Sequence, residues 1–579
     1  MRRWNGWGDD TITYPLPRSA AEFLASVIGP ATPPRDATLA QVIASVPEGR
    51  LPDHPLVTTE PEVRVRHTRG QSLPDWIAIR SGRIAAFPDG VAYPTDETEV
   101  RDLLRYAAEV DARLIPYGGG TSVVGHINPP SGDAPVLTVN LNRLSRLHTF
   151  DATSRLATFG AGVTGPNLEA QLRARGTTLG HFPQSFELST LGGWIASRSS
   201  GQQSFYYGRI EDMFAGGHVE TPAGPLDLPP HPASAAGPDL RQLILGSEGR
   251  FGIITEATVR VSPLPERESF HAMFFPDWES GHTAVREVAQ ARVPVSMLRL
   301  SNAVETETTL ILAGHERLVG LAERALRALG LGDDKCLLLC GVTGGRKLVK
   351  RARRDLIAIA KEHGGRHVGQ YMGGKWRDSR FLSPYLRNTL WELGYAVDTL
   401  ETAMPWSVIP ATVETIQAAL RTGLQDFGEL PWHPPALHPQ RGAHLPRIRG
   451  APGIARQGRW VPGSGPPGQV SRAETRERVH VFAHLSHIYS HGASFYVTYL
   501  FRIAPDPDET LRRWQVLKDA ASQAIVAAGG TISHQHGVGT DHLPYLPVEK
   551  GELGMKVLKA ARQTFDPQGL MNPGKLLDL

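Results

Sequence analysis

Three consecutive glycines end a short β-like run at Pro116-Tyr117-Gly118-Gly119-Gly120-Thr121-Ser122, and no other stretch limits this chain so sharply. Lacking Cβ atoms, such a segment can press its backbone against a ligand and aim successive N–H groups at one anion. Thr121 and Ser122 add hydroxyl donors. A lone triple glycine is more often only a tight turn. The loop has neither the Gly-x-Gly-x-x-Gly spacing of a nicotinamide-binding fold nor the Gly-Lys-Ser/Thr ending of a P-loop. Two later segments change its meaning. One runs from Pro183-Gln184-Ser185-Phe186-Glu187-Leu188-Ser189 through Ala196-Ser197-Arg198-Ser199 to Tyr207-Gly208, mixing hydroxyl and small residues. The other is Gly246-Ser247-Glu248-Gly249-Arg250-Phe251-Gly252-Ile253-Ile254. Each alone is weak; three in order read as walls around one ligand.

The surroundings alternate strand and helix. Asp96 and Glu99 stand as a capping box before Val100, Leu103, Leu104, Ala107 and Val110, which are apolar at helical spacing. Short β-rich runs follow at 112–116, 136–140, 156–159 and 252–261. This is the density of an α/β or α+β domain. After Pro263 longer helical patterns appear at 317–329 and 349–362, which puts a boundary near 264. Residues 1–83 are Pro-rich and irregular, with one amphipathic stretch near 20–28, and 431–470 are dense enough in Pro and Gly to read as an insertion.

Composition excludes several classes. Sixty-one basic against 58 acidic side chains in 579 residues give no basic stripe for nucleic acid. The one candidate, 346–354, alternates with apolar residues as a solvated helix face does. Two cysteines, Cys336 and Cys340, cannot staple a chain of this length; their segment reads as a buried apolar strand. No run approaches the roughly 20 apolar residues of a spanning helix, and neither a signal-peptide stretch nor a C-terminal Ser-Lys-Leu is seen. A cytoplasmic enzyme is expected.

The three segments in this order resemble the flavin domain of the vanillyl-alcohol-oxidase (PCMH-type) superfamily, and within it the alkyldihydroxyacetonephosphate synthase family. The likeness starts at Arg3-Trp4-Asn5-Gly6-Trp7-Gly8 and continues through Arg69-Gly70-Gln71-Ser72 and 529–539. It ends at Phe565-Asp566-Pro567 and Asn572-Pro573-Gly574-Lys575. It implies an α+β fold: a two-part FAD-binding domain over 84–264 and an α+β cap or substrate domain over 265–520. The first 83 residues precede them, and 521–579 return to the flavin. It implies FAD, held by 116–122, 183–189, 196–199 and 248–254. The glycine loop offers no histidine before His126, so attachment is expected to be non-covalent.

The remaining candidates gain meaning from that resemblance. In Ser533-His534-Gln535-His536-Gly537, two imidazoles beside glycines suit proton abstraction next to a flavin. The family has three consecutive histidines there, and Gln535 replaces the middle one. Tyr496 matches the family's active-site tyrosine, and Arg299 a family arginine expected to hold phosphate. His484 falls where the family has a phosphate-binding arginine, a change that removes a permanent charge and a two-pronged donor. Arg387 is a further anion ligand, or else an exposed helix arginine. His484 and His491 share the spacing of metal ligands in FAD-linked 2-hydroxyacid dehydrogenases, but Gln535 stands where that branch has a glutamate, so no metal is expected.

The function implied is exchange of the acyl group of acyl-dihydroxyacetone phosphate for a fatty alcohol, giving an ether-lipid precursor. Tyr496, His534 and His536 would be catalytic, and Arg299, Arg387 and His484 would bind substrate. The alternative is an FAD-linked oxidase or dehydrogenase of a 2-hydroxyacid or alcohol. The partner is a small molecule or lipid, with no nucleic acid; peripheral contact with the inner face of a membrane and a homodimer are compatible with it. Purified protein should be yellow, and acid precipitation should release the flavin into solution. Colourless protein that fails to take up FAD would exclude the cofactor, and flavin retained in the precipitate would exclude non-covalent attachment.

Overall fold

The helix expected before the glycine loop shows how closely local rules hold. In the computed structural model, which describes residues 1–312, 314, 316–425 and 477–578, it spans Glu97–Glu109 and turns Val100, Leu103, Leu104 and Ala107 inward. The Asp96 carboxylate caps it by accepting the Glu99 N–H at 2.9 Å. The reciprocal half of the capping box is shifted, because Glu99 accepts from the N–H and hydroxyl of Thr95 instead of from Asp96. The chain then enters strand Arg113–Tyr117 and delivers the glycines at its C-terminal end.

That strand is the edge of a four-stranded sheet in the order Val57–Thr58, Gly90–Ala92, Val136–Asn140, Arg113–Tyr117. The last three are parallel, with Gly90 opposite Leu137 and Arg113 opposite Val136; the first is antiparallel. The first 83 residues are therefore not a separate irregular segment. They give this sheet an edge strand and carry helices Arg18–Val27, Leu39–Ala44, Pro61–Arg66 and Leu73–Ser81. The far end of the chain closes the other edge: Leu114 donates its N–H to Leu570, and Asn572 donates to Leu114.

A second, antiparallel sheet orders strands Leu147–Asp151, Leu156–Gly160, Ile253–Arg260, Phe214–Thr221 and Gly224–Leu228. Beyond Pro263 the chain builds a seven-stranded antiparallel sheet. Its order is Arg366–Gly369, Arg267–Phe275, Cys336–Gly344, Met297–Ser301, His480–Ile488, Gly492–Arg502, Tyr395–Pro405. Both cysteines lie inside it, unpaired, their thiols pushed up to about 12 by burial and so inert. The 346–354 run begins helix Arg346–Glu362, which buries Val349, Ala352, Leu356 and Ala360 and leaves its arginines outward. The 431–470 stretch lies outside the described residues.

The two-residue period of the strands divides the large sheet into two faces. Phe495, Val497, Tyr499 and Phe501 pack beneath helices Ile409–Thr422 and Pro507–Ala527, against Ile416, Leu420, Trp514, Leu517 and Ala521. The alternate residues, Tyr496 among them, face the opposite way, toward the flavin-type domain. One face is core and the other is available for chemistry. Phe495→Ala should cost about 3–5 kcal/mol in chemical unfolding, whereas Leu553→Ala, on a residue 75% exposed, should change stability by less than about 0.5 kcal/mol.

Candidate active site

The three glycine-bearing segments converge. A Cβ on Gly119 would lie 1.9 Å from the Leu188 carbonyl oxygen, and one on Gly118 would lie 2.3 Å from Thr190 Oγ1. Gly249, in the left-handed region at φ +74°, rests on the Pro116 ring, and the Glu248 N–H donates to the Ala196 carbonyl. Among the described residues no acceptor meets the amide N–H groups of Gly119, Gly120, Thr121 or Ser122. A row of unsatisfied backbone donors fits an anion such as a pyrophosphate. Several side chains here are committed to the protein itself. Arg250 donates to the Met571 carbonyl, Phe251 stacks on Phe565, and Arg198 pairs with Glu211 and Gln242. What these segments offer a ligand is mainly backbone.

The polar face of the seven-stranded sheet carries a row set by register: Ser301 opposite His484, His484 opposite Tyr496, Tyr496 opposite Glu401. Tyr496 stacks on His484 with ring centroids 5.3 Å apart and donates to Thr399 Oγ1 at 2.8 Å. Burial raises its phenol far above the usual range, so it stays a hydroxyl. Arg299, two residues from Ser301, is paired with Glu305. His484 Nδ1 lies 3.0 Å from Glu305 and 3.3 Å from Arg299. The ionised Glu305 carboxylate can only accept and is the nearer of the two, and Arg299 already donates to it, so Nδ1–H donates to Glu305. Burial first, then Arg299, holds the His484 imidazole below its ordinary range. Burial opposes ionisation of Glu305, but His484 and Arg299 keep its carboxyl below the ordinary carboxylate range.

The histidine loop hangs between this face and the flavin-type domain. Glu401 Oε1 accepts the N–H groups of Gln535 and His536 at 2.6 and 3.0 Å. Glu248 accepts those of Val538 and Gly539 and lies 3.2 Å from His126. Arg209 donates to the His534 carbonyl at 2.7 Å. The two loop histidines differ. The His534 side chain is only 3% exposed. Its Nε2 accepts from the Tyr489 hydroxyl at 2.6 Å, and its ring stacks on His487. Burial, then His487 and Arg209, drive it well below the ordinary imidazole range. The His536 side chain is 18% exposed and meets Tyr496 edge to face at 5.7 Å. His534 is closed; His536 is open.

Arg387 is not the exposed helix arginine that one reading of the sequence allowed. It sits on helix Leu386–Glu392 over the Trp76 ring, 4.3 Å from its centroid. One nitrogen, Nη1, donates to the Gln71 carbonyl, while Nε and Nη2 are enclosed without a partner. Burial pulls it down to about 10, so the guanidinium remains charged, and it is near enough to favour ionisation of Tyr496. His491 lies in the turn between strands His480–Ile488 and Gly492–Arg502, away from mid-strand His484.

Sequence reasoning missed Glu401, Glu305, Arg209 and the side chain of Glu248. Each is a single charged residue without local pattern: Glu401 is brought in by strand register, Glu305 by helix Ala303–Leu312, Arg209 from the residue before helix Ile210–Met213 and Glu248 from a loop. His487 and Tyr489 lie close to His484 in sequence, but their tie to His534 is set by tertiary contact.

With this geometry in place, known proteins supply the context. Residues 88–226 match the FAD binding domain family, and 264–428 with 461–576 match the C-terminal domain of FAD linked oxidases. The chain is 30% identical over 522 residues to alkyldihydroxyacetonephosphate synthase of Dictyostelium discoideum, covering 89% of this chain and 77% of that protein. It is 26% identical to the Trypanosoma brucei brucei protein of the same name, over 89% of this chain and 77% of the relative. A solved alkyldihydroxyacetonephosphate synthase structure superposes with a TM-score of 0.77 at 24% identity, covering 99% of each chain. The two-part flavin domain and the α+β cap are thus the fold of this group, and the cofactor is FAD. The chain belongs to the alkyldihydroxyacetonephosphate synthase family and is an FAD-dependent enzyme.

Proposed function

We propose that this enzyme exchanges the fatty acyl group of acyl-dihydroxyacetone phosphate for a fatty alcohol. The observation that carries the reading is Arg387, a charged guanidinium with two enclosed and unpartnered nitrogens beside Tyr496. A phosphate offers oxygens for such a fork. Arg299, partly spent on Glu305, gives a second cation along the same face. FAD would be held by the backbone of 116–122, 183–189, 196–199 and 248–254, without a covalent bond, since the glycine loop itself carries no histidine. When bound, FAD supplies an electron sink next to the reacting carbon.

The residues of the chain then move protons and exclude water. His536, open and edge-on to Tyr496, accepts the proton lost at the reacting carbon and returns it. Tyr496, kept as a hydroxyl by burial, gives up its bond to Thr399 and donates instead to an oxygen of the substrate. His534, hydrogen-bonded to the Tyr489 hydroxyl, braces the loop. The fatty acid leaves with the proton that the alcohol gives up, so the exchange balances without net oxidation. A lipid substrate is met at a membrane surface, and the placement proposed with this reading is a cytoplasmic enzyme working against the inner face of a membrane; among the described residues no helix is long and apolar enough to cross one.

One observation favours the oxidase reading. Glu305 puts a buried carboxylate beside Arg299 and His484, which weakens the field available to a dianion. Kinetics separate the two. His536→Ala should lose about 10²–10⁴-fold in turnover while keeping FAD; a wild-type rate would remove the proton role. Arg387→Ala should raise KM for acyl-dihydroxyacetone phosphate about tenfold or more, and His484→Arg, whose new guanidinium would meet Glu305, should lower it. Lasting flavin bleaching by D-lactate or glycolate, abolished in His484→Arg and with no turnover of the phosphorylated ketone, would replace the synthase by the oxidase.

A further inference from the structure

Glu401 is a buried carboxylate whose two oxygens have different surroundings. Its side chain is fully enclosed, with 0% exposure. Oε1 is saturated by the two loop amides and lies 3.5 Å from His536 Nδ1. Oε2 has no hydrogen-bond partner and lies 3.9 Å from His534 Nδ1, which also has none. Leaving a buried carboxylate oxygen and a buried ring nitrogen unpaired costs stability, so the arrangement calls for a role beyond packing.

We propose that Glu401 is the positioning residue of the proton-transfer step. It fixes the His536 backbone and stabilises the positive charge that His536 acquires when it takes up a proton. The inference deepens the reading above, because it rests on His536 as the proton acceptor. The geometry explains why the charge settles there. Around His534 stand Arg209 from the flavin-type domain, His487 from strand His480–Ile488, the Tyr489 hydroxyl, His536 itself and, at 3.9 Å from Nδ1, the far oxygen of Glu401. Arg209 and the imidazoles oppose a proton there, Nε2 is already tied to Tyr489, and Glu401 lies farther from His534 than from His536. Around His536 stand Tyr496 from strand Gly492–Arg502, the buried imidazoles His487 and His542, and Glu401. Glu401 is the one carboxylate within 4 Å of His536 among the described residues. With Nδ1 turned toward Glu401, Nε2 is left as the acceptor toward the open side, the tautomer a base requires.

The test reads His536 directly and does not depend on any substrate. Diethyl pyrocarbonate attacks only unprotonated imidazole, so its rate at His536 in the FAD-loaded enzyme, followed by peptide mass spectrometry, reports the fraction unprotonated. The quantity compared is the ratio of rates at pH 8 and pH 6, which cancels differences in access. Glu401→Gln keeps an oxygen for the loop amides and removes the charge. Without that charge less imidazolium forms at pH 6, so the ratio should fall by roughly three- to tenfold. Glu401→Asp keeps the charge at a slightly greater distance and should recover at least half of the lost ratio. An unchanged ratio in Glu401→Gln overturns the proposal, as does an equal fall in both variants. If Glu401→Gln fails to hold FAD, Glu401→Asp decides alone: a ratio modestly below wild type supports the proposal, and one at or above it overturns it. A shifted ratio in an enzyme that never turns over acyl-dihydroxyacetone phosphate would defeat the synthase reading and leave this inference standing.

Discussion

Two buried carboxylates hold this molecule's working parts in register. Glu401, from the seven-stranded sheet, and Glu248, from the third glycine segment, each accept two consecutive backbone N–H groups of the histidine loop. An ionised carboxylate out of water must be heavily compensated, and charge-assisted bonds from backbone amides are among the stronger compensations available. The two bond sets could not both survive if the two domains moved apart, since one glutamate belongs to each. Asn572 reinforces the junction by donating to the carbonyls of Glu248 and His126. A loop without helix or strand of its own thereby becomes as fixed as the sheets that flank it.

That fixation sets the electrostatics. Burial drives His181 and His487 to about 3 and His534 and His542 well below the ordinary imidazole range. Burial likewise lifts the hydroxyls of Tyr489 and Tyr496. The site is therefore lined with neutral donors and acceptors, and its permanent cations, Arg299, Arg387 and Arg209, stand on other segments. Such a site suits proton transfer through groups that start neutral, with its full charges kept on the arginines and on the carboxylates that pin the loop.

What the sequence disclosed follows from this division. The glycine segments were legible because a backbone that approaches another backbone must forgo Cβ, as at Gly119 against Leu188; that requirement is written locally. The helix at 97–109 and the strand at 136–140 were legible from periodicity, with errors only in detail, such as Glu99 reaching Thr95. Glu401 could not be seen that way. Its neighbours Leu400 and Thr402 share the same strand, and only pairing with Tyr496 across the sheet turns Glu401 toward the loop. The edge strand Val57–Thr58 was hidden for a similar reason, being two residues long and stabilised by Gly90–Ala92. Arg387 was ambiguous because helical spacing does not say which neighbour covers a side chain, and Trp76, over 300 residues away in sequence, does so.

The same logic bears on His484, the departure from the family pattern that first raised a second function. An arginine there would have faced Glu305 together with Arg299, two cations against one buried carboxylate, leaving one positive charge over. With His484 neutral, Arg299 and Glu305 cancel, and the corner contributes hydrogen bonds but no net charge. On the proposed reading, the charge that a doubly ionised phosphate needs would then come from elsewhere. Arg387 is suited to that task because burial leaves it charged at about 10 while two of its nitrogens lack acceptors. The substitution does not empty the site of positive charge. On the proposed reading it moves the demand from the sheet to the helix Leu386–Glu392, where Arg387 on its tryptophan support would be the main cation and Arg299, paired with Glu305, the weaker one.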